Sequence, residues 1–365
     1  MLIFLNENLA VESNSFSEND IRNLDDLLML HSKLLHYVAA SKKTVHLISQ
    51  NFLGKISNRS QETLKTISTQ SDNLSSLISA TRLYVEIKNK ASIGLTIEKN
   101  DESFKWICDL QYAVSWLSQP SKIIGEHIGD VDTFQVASKY FAISKKLDPK
   151  MQRFIAEMSG GCGNAPVVLT QRIKDGVAPI LCIIDSDKIS PDHNGSPSIS
   201  KCHDIVEQMK GISYFHQMEE RELENIIPIP LLIHGTLSLP ASKDRDTILD
   251  SIAILKSIYE DDESTHIYKY IDLKNGTCKS WVAAKGIEKY YANITIKSKC
   301  PCKIDCEGYF SPPLFESVRQ KVTEFIENSS EKILRDISVE SVSKSWIDLG
   351  AIVYSVALSN KIRTM

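Results

Sequence analysis

Four acidic side chains in the middle third of the chain, Glu126, Asp130, Asp185 and Asp187, have the spacing best suited to chemistry. Glu126 directly follows the short apolar run Lys122-Ile123-Ile124-Gly125, with Asp130 four positions later. Asp185 and Asp187 close Pro179-Ile180-Leu181-Cys182-Ile183-Ile184, the strongest strand signal in the sequence. If these runs are parallel strands, the acids stand at carboxyl ends, where open α/β sheets bind their ligands. The two-residue period of a strand then directs Asp185 and Asp187 to one face, with Ser186 opposite. Gathered carboxylates repel one another and are costly to bury unpaired. A hard divalent cation such as Mg²⁺ or Mn²⁺ resolves this, because it prefers oxygen ligands. Such an ion polarises a phosphoryl oxygen and lowers the pKa of bound water, and two ions stabilise both the attacking and the leaving oxygen. A single acid after a strand is more often a helix cap or a solvated loop residue. The weight therefore rests on the whole arrangement, which includes the glycine-rich turn Ser159-Gly160-Gly161-Cys162-Gly163-Asn164.

The elements that must position these acids are legible as alternating strands and helices from residue 121 onward. Strands are expected at 122–125, 154–156, 179–184 and 213–218, with a helix between each pair, including one near 200–209. That alternation argues for an open parallel sheet, and the unbroken apolar run of the third strand suits a central position covered on both faces. Residues 1–118 read as a mainly helical cap or partner surface after an opening strand. Helices are expected from Asn23 to Ala40, where leucines recur at three- and four-residue spacing, over 58–79, and over Phe104–Leu117. Strand-like patterns intervene only at 84–87 and 93–97. Residues 239–365 read as mainly helical with a cysteine-rich loop, leaving 119–238 as the α/β domain.

These stretches resemble the TOPRIM domain, the metal-binding fold shared by topoisomerases, bacterial primases and the OLD-family nucleases. Ile123-Ile124-Gly125-Glu126-His127-Ile128-Gly129-Asp130 is similar to the first motif, with His127 where OLD-type members usually carry glycine. The turn at 159–164 is similar to the glycine-containing turn after the family's second strand. Ile183-Ile184-Asp185-Ser186-Asp187 is similar to its Asp-x-Asp strand end. Glu219-Glu220-Arg221-Glu222-Leu223-Glu224-Asn225-Ile226-Ile227-Pro228 resembles the Arg-Glu-apolar-Glu-Asn segment of OLD-like proteins, including antiphage-associated ones. The resemblance covers residues 121–230. It implies phosphodiester hydrolysis of DNA or RNA, as in a defence effector, with Mg²⁺ or Mn²⁺ held by Glu126, Asp185 and Asp187. Glu126 would also assist proton transfer, and Asp130 would be a candidate ligand of a second ion. Lys188, Arg172 and Arg221 would be candidate phosphate contacts. Glu222 and Glu224 divide evenly between supporting the site and lying on a surface helix, while Glu219 and Glu220 read as surface. The alternative is a regulatory TOPRIM protein that binds metal or nucleotide and engages a partner. The chain shows no Gly-Lys-Ser/Thr phosphate loop, so a separate ATPase or other defence protein is an open partner, and the helical flanks suit a homodimer.

Composition bounds the remaining classes. Hydrophobic residues make up 42% and charged residues 24% of the 365 positions, which suits a soluble globular protein. The net charge of −4 announces no global basic field, although a metal site screens phosphates locally. No run approaches a membrane span, and Met1–Leu5 lacks the basic flank of a signal peptide and reads as a strand, so the expected compartment is cytoplasmic. Of the eight cysteines, Cys278, Cys300, Cys302 and Cys306 could supply four thiolates to a structural zinc. The Cys-x-Cys start is tighter than the usual hairpin and favours free thiols in a loop. Cys162 has no nearby activating base, and His193, His203 and His216 show no ligand spacing.

Overall fold

The computed structural model describes residues 1–11, 16–88, 94–100, 103–261, 265–295, 308–314, 316–338 and 343–360. Two parallel-rich sheets organise them. The first contains β1 (Leu2–Leu5), β2 (Tyr37–Ala40), β3 (Leu83–Ile87), β4 (Leu95–Lys99) and β5 (Phe104–Cys108), in the order β2-β1-β3-β5-β4. All pairings are parallel except β4 on β5. Its helices are α1 (Glu7–Val11), α2 (Glu18–Ser32), α3 (Lys42–Asn51), α4 (Asn58–Gln70), α5 (Leu74–Ala80) and α6 (Leu110–Trp116).

Residues 1–118 hold more helix than strand, as expected, but the sheet that organises them was not foreseen. The apolar run from Asn23 to Ala40 divides, because α2 ends at Ser32 and Leu34 takes a φ of +60°. The Val38 N–H then donates to His31 Nδ1 at 3.1 Å, and Tyr37–Ala40 pairs with β1 instead of continuing the helix. The run from Phe104 to Leu117 divides at Asp109. Phe104-Lys105-Trp106-Ile107-Cys108 is rich in residues that pack well on a pleated surface and forms β5. Asp109 then accepts the Tyr112 N–H at 2.8 Å and starts α6.

The second sheet follows the expected alternation: β6 (Lys122–Gly125), α7 (Ile128–Ser144), β7 (Ile155–Met158), α8 (Ala165–Asp175), β8 (Ile180–Ile184), α9 (Pro197–Gln208) and β9 (Ser213–Gln217). The order is β7-β6-β8-β9 and every pairing is parallel. All five residues of β8 are buried. Burying a side chain of that size contributes about 1.5–3 kcal/mol, so the strand that presents Asp185 is firmly fixed. From β6 the chain leaves toward β7 on one side, and from β8 it leaves toward β9 on the other. The crevice at the carboxyl ends of β6 and β8 is therefore a topological switch point.

The remaining elements are mainly helical, as expected: α10 (Ile229–Leu237), α11 (Lys243–Glu260), α12 (Thr265–Tyr268), α13 (Lys279–Lys285), α14 (Glu316–Asn328), α15 (Glu331–Ser338) and α16 (Lys344–Ala357). A short antiparallel pair, β10 (Thr277–Cys278) and β11 (Tyr309–Ser311), interrupts them. They join the same hydrophobic core as the sheets. Helix α7 is buried on most of its circumference because α14, α15 and α16 pack on it in addition to β6 and β7. The α16 crossing needs a glycine: a Cβ on Gly350 would lie 2.5 Å from the Ala137 carbonyl oxygen. Helix α16 also reaches the first sheet, where Asp348 pairs with Arg82 at 2.7 Å and Ser355 accepts the Arg82 N–H. In the same way Gly235 of α10 lets α14 approach, since its Cβ would stand 2.9 Å from Val322 N. The last contact brings Arg319 of α14 toward the sheet edge. No helix among the described residues is long and apolar enough to cross a membrane.

Candidate active site

Glu126 is the first residue past β6, and its Oε1 accepts the N–H of Asp185 at 3.0 Å. Asp185 is the first residue past β8, and its Oδ1 accepts the N–H of Leu223 at 3.1 Å. The carboxyl ends of β6, β8 and β9 are thus laced together by the acids themselves. The glycine-rich turn closes the same edge: the Glu126 carbonyl accepts from Gly160 N at 3.1 Å and Gly161 N at 3.3 Å. Those two residues have φ values of +75° and +112°, which only glycine adopts readily. His127 takes an extended φ of −127°, a conformation that makes no demand for glycine.

The segment after β9 is a buried brace, not a surface helix. Glu220, Glu222, Glu224 and Asn225 are all buried, and only Glu219 is exposed. Asn225 Oδ1 accepts the Glu222 N–H at 3.1 Å, while its Nδ2 donates to the Tyr268 and Ile271 carbonyls at 2.8 and 3.2 Å. Glu220 accepts the Ser345 hydroxyl at 2.6 Å. Arg221, expected as a candidate phosphate contact, is engaged within the protein. Its Nη2 lies 2.8 Å from Asp272 Oδ2, its Nε 3.5 Å from Glu222 Oε1, and its guanidinium covers the Trp281 ring at 5.2 Å. Arg172 is likewise engaged elsewhere, with Glu157 at 2.6 Å and Asp175 at 3.2 Å.

Two further expectations are corrected. Asp187 does not share a strand face with Asp185, because β8 ends at Ile184 and Asp187 sits at φ +55°, its N–H donating to the Arg221 carbonyl at 3.0 Å. It stands exposed, with Lys188 half-buried after it. Asp130 caps α7 by accepting the His127 N–H at 2.8 Å, and its other oxygen lies 2.6 Å from Arg319 Nη1. Both its oxygens are engaged, so it is not free to ligate a second ion in this arrangement.

Sequence reasoning missed the two cations. Lys274 Nζ lies 3.7 Å from Asp185 Oδ2 and 3.6 Å from Glu224 Oε2. Arg319 Nη1, besides Asp130, lies 3.4 Å from Glu224 Oε1. Both come from the C-terminal region, far from the acids in sequence. The only local signal was the turn-forming Asp272–Gly276 stretch. Glu224 itself is 5% exposed, and neither of its oxygens accepts a hydrogen bond among the described residues.

Burial pushes the Asp185 carboxyl well above the usual range; Lys274 opposes this, while Glu126, Glu224 and Asp130 reinforce it. Burial also raises Glu126, against the hydrogen bond from the Asp185 N–H and with the charges of Asp187 and Asp130. Glu222 is pushed up to about 7, again chiefly by burial. For Lys274, burial works to lower the ammonium, but Glu224, Asp185 and Glu222 together outweigh it and the pKa rises.

Among the described residues no three His, Cys, Asp or Glu side chains converge closely enough, as they stand, to hold a metal ion. The acidic groups are nevertheless of the type a hard cation takes: all are carboxylates, two are raised by burial, and the two buried oxygens of Glu224, though ion-paired to Lys274 and Arg319, accept no hydrogen bond among the described residues. Of the thiolate set, Cys278 starts α13 with its Sγ 3.3 Å from Ser280 Oγ, while Cys300, Cys302 and Cys306 lie outside the described residues. Cys162 is a turn residue whose Sγ lies 3.0 Å from Ser196 Oγ, and burial raises its thiol. Comparison with family models, with curated proteins and with solved structures found no match for this chain.

Proposed function

We propose that the chain is a metal-dependent nuclease that hydrolyses phosphodiester bonds of DNA or RNA at the β6/β8 switch point, as an effector of antiphage defence. The observation that carries this reading is that Glu126 and Glu224 both lie near enough to Asp185 at one sheet edge to act on its charge, with Glu224 buried and, among the described residues, held by ion pairs but by no hydrogen bond. Glu126, Asp185 and Glu224 would hold a Mg²⁺ or Mn²⁺ ion, with Asp187 on the solvent side. Such an ion supplies Lewis acidity toward a phosphoryl oxygen and a lower pKa for water. The raised pKa of Glu126 is the direction a general base needs to take a proton from attacking water near neutral pH. The hydrogen bond from the Asp185 N–H holds that carboxylate in place. The setting in phage defence, and a separate ATPase as partner, follow from the motif resemblance alone.

A second reading, a regulatory protein that binds metal or nucleotide without cleaving, is favoured by one observation. Lys274 and Arg319 already balance the acids from within the chain. Incubation with end-labelled DNA and RNA in Mg²⁺, Mn²⁺ or EDTA separates the two. The nuclease reading expects metal-dependent cleavage that falls about 100-fold or more in both Glu126→Gln and Asp185→Asn. Cleavage that persists in both variants removes the activity from this site, and absence of cleavage with metal bound selects the regulatory reading.

A further inference from the structure

The two cations in the acidic cluster are held very differently. Arg319 is fixed on α14 by the close packing of that helix against Gly235, and its side chain is 12% exposed. It meets Asp130 at a full charge-assisted hydrogen-bond distance of 2.6 Å. Lys274 is 40% exposed and approaches Asp185 and Glu224 only to 3.7 and 3.6 Å, beyond hydrogen-bond reach. Its backbone is nonetheless not loose. Asp272 Oδ1 accepts the Asn275 N–H at 2.7 Å, the Asp272 N–H donates to Thr277 Oγ1 at 2.9 Å, and Arg221 grips the Asp272 carboxylate. Gly276, at φ +76°, lies so near Pro313 that a Cβ would stand 2.9 Å from the proline nitrogen. A rigid turn therefore carries a four-carbon stem whose ammonium can swing out to solvent without disturbing the backbone.

We propose that the cluster has one exchangeable and one permanent cation place. A single divalent ion takes the position of the Lys274 ammonium between Asp185 and Glu224, and the Arg319 guanidinium keeps the position that a second ion would need. This rests on the metal reading of the site. It also accounts for why the carboxylates do not converge as they stand: the lysine spaces Asp185 from Glu224. It assigns Lys274 the role of a resident counter-ion that makes metal entry a competition. Arg319, always charged and tied to both Asp130 and Glu224, does not leave. Asp130, with one oxygen on Arg319 and the other on the His127 N–H, is excluded from the ligand set.

The test is a titration of the full chain with Mn²⁺, free ion being read by electron paramagnetic resonance with no nucleic acid present. The expected result is one ion per wild-type chain. Lys274→Met and Lys274→Gln should also bind one ion, tenfold or more tightly, whereas Lys274→Arg, which keeps the charge, should gain nothing. Asp185→Asn should abolish binding in the wild-type and the Lys274→Met backgrounds alike. Two ions per wild-type chain, unchanged or weaker binding in Lys274→Met and Lys274→Gln, or no Mn²⁺ binding at all, would each overturn the proposal. Thermal melts of each variant check folding, which an exposed lysine stem is not expected to govern. Because binding is read without substrate, failure of the nuclease reading leaves this result standing, and failure of the competition leaves the cleavage assay untouched.

Discussion

Among the described residues two parallel-rich sheets each have a switch point, and the second gathers several acids at its crevice where the first has Asn6 and Glu86. In the first sheet the chain leaves β1 toward β2 and β3 toward β5, so the comparable crevice lies past Leu5 and Ile87. Asn6 fills it: its N–H donates to the Ile87 carbonyl at 3.1 Å, its side-chain Oδ1 accepts from Asn8 N at 3.0 Å, and its Nδ2 donates to Glu86. Glu86 is buried on β3 but is met by Lys105 at 3.1 Å and Lys88 at 3.6 Å, both on the first sheet or beside it. Charge is closed locally there. In the second sheet the acids at the crevice are met by Lys274 and Arg319 from the C-terminal region; Arg319 reaches Asp130 at 2.6 Å, but Asp185 is met only at 3.7 Å and Glu224 only at 3.6 and 3.4 Å, without a hydrogen bond. The same topology makes a closed edge where the neighbours of the strands supply the counter-charge. It makes an open one where distant elements must.

The largest effect that distinguishes the two edges should come from Arg221. Replacing it with Met leaves the buried Asp272 carboxylate and Glu222 without their guanidinium and removes its cover on Trp281. Breaking a buried pair from one side costs about 3–5 kcal/mol. The matching change in the first sheet, Lys105→Met, still leaves Glu86 with Lys88 and Asn6, and should cost about 1.5–3 kcal/mol, the worth of one charged hydrogen bond. Urea denaturation of both variants reads the difference. Equal losses would show that the two edges are braced alike and would break the comparison.

A pH dependence should belong to the second edge. Folded Glu222 keeps its proton up to about pH 7, whereas the unfolded chain releases it near 4.5. Between those values the folded state holds the extra proton, so stability falls as pH rises through the window. At about 1.4 kcal/mol per unit the contribution is at most about 3.5 kcal/mol. Glu222→Gln should reduce the pH slope of the urea midpoint between pH 5 and 7 when measured in EDTA, leaving the part that Asp185 and Glu126 contribute. A slope identical to wild type would show that burial does not hold that proton.

What the sequence revealed follows the range of the forces involved. The βαβ alternation from β6 to β9 was legible because an apolar run such as Ile180–Ile184 reports its own burial. The positions of Glu126 and Asp185 followed from the same runs. Asp187 was misplaced because a two-residue period holds only while the strand continues, and β8 stops at Ile184. The first sheet was hidden since β2 and β5 adjoin helical stretches, with their boundaries set by a positive φ at Leu34 and a cap at Asp109. Lys274 and Arg319 were beyond reach for a different reason. Their meeting with the acids depends on how α14 and the Asp272–Gly276 turn pack on the sheet edge, and no short-range pattern encodes that.

The smallest expected effect tests whether a strand-end acid is a cap or part of a charge network. Asp109 and Asp130 each accept a backbone N–H three residues away, at the starts of α6 and α7 for Tyr112 and His127 respectively. Asp109 also accepts the Gly94 N–H at 3.3 Å, a neutral donor. Asparagine caps as well as aspartate does, so Asp109→Asn should be within about 0.5 kcal/mol of wild type, and Asp109→Ala should lose about 1 kcal/mol. Asp130→Asn keeps the cap but withdraws the charge from Arg319, whose guanidinium then has Glu224 alone. Its loss should exceed that of Asp109→Asn and shrink in high salt only weakly, because the pair is mostly buried. If the two asparagine variants prove equally mild, Asp130 is a cap and nothing more, and Arg319 is held by Glu224 without its help.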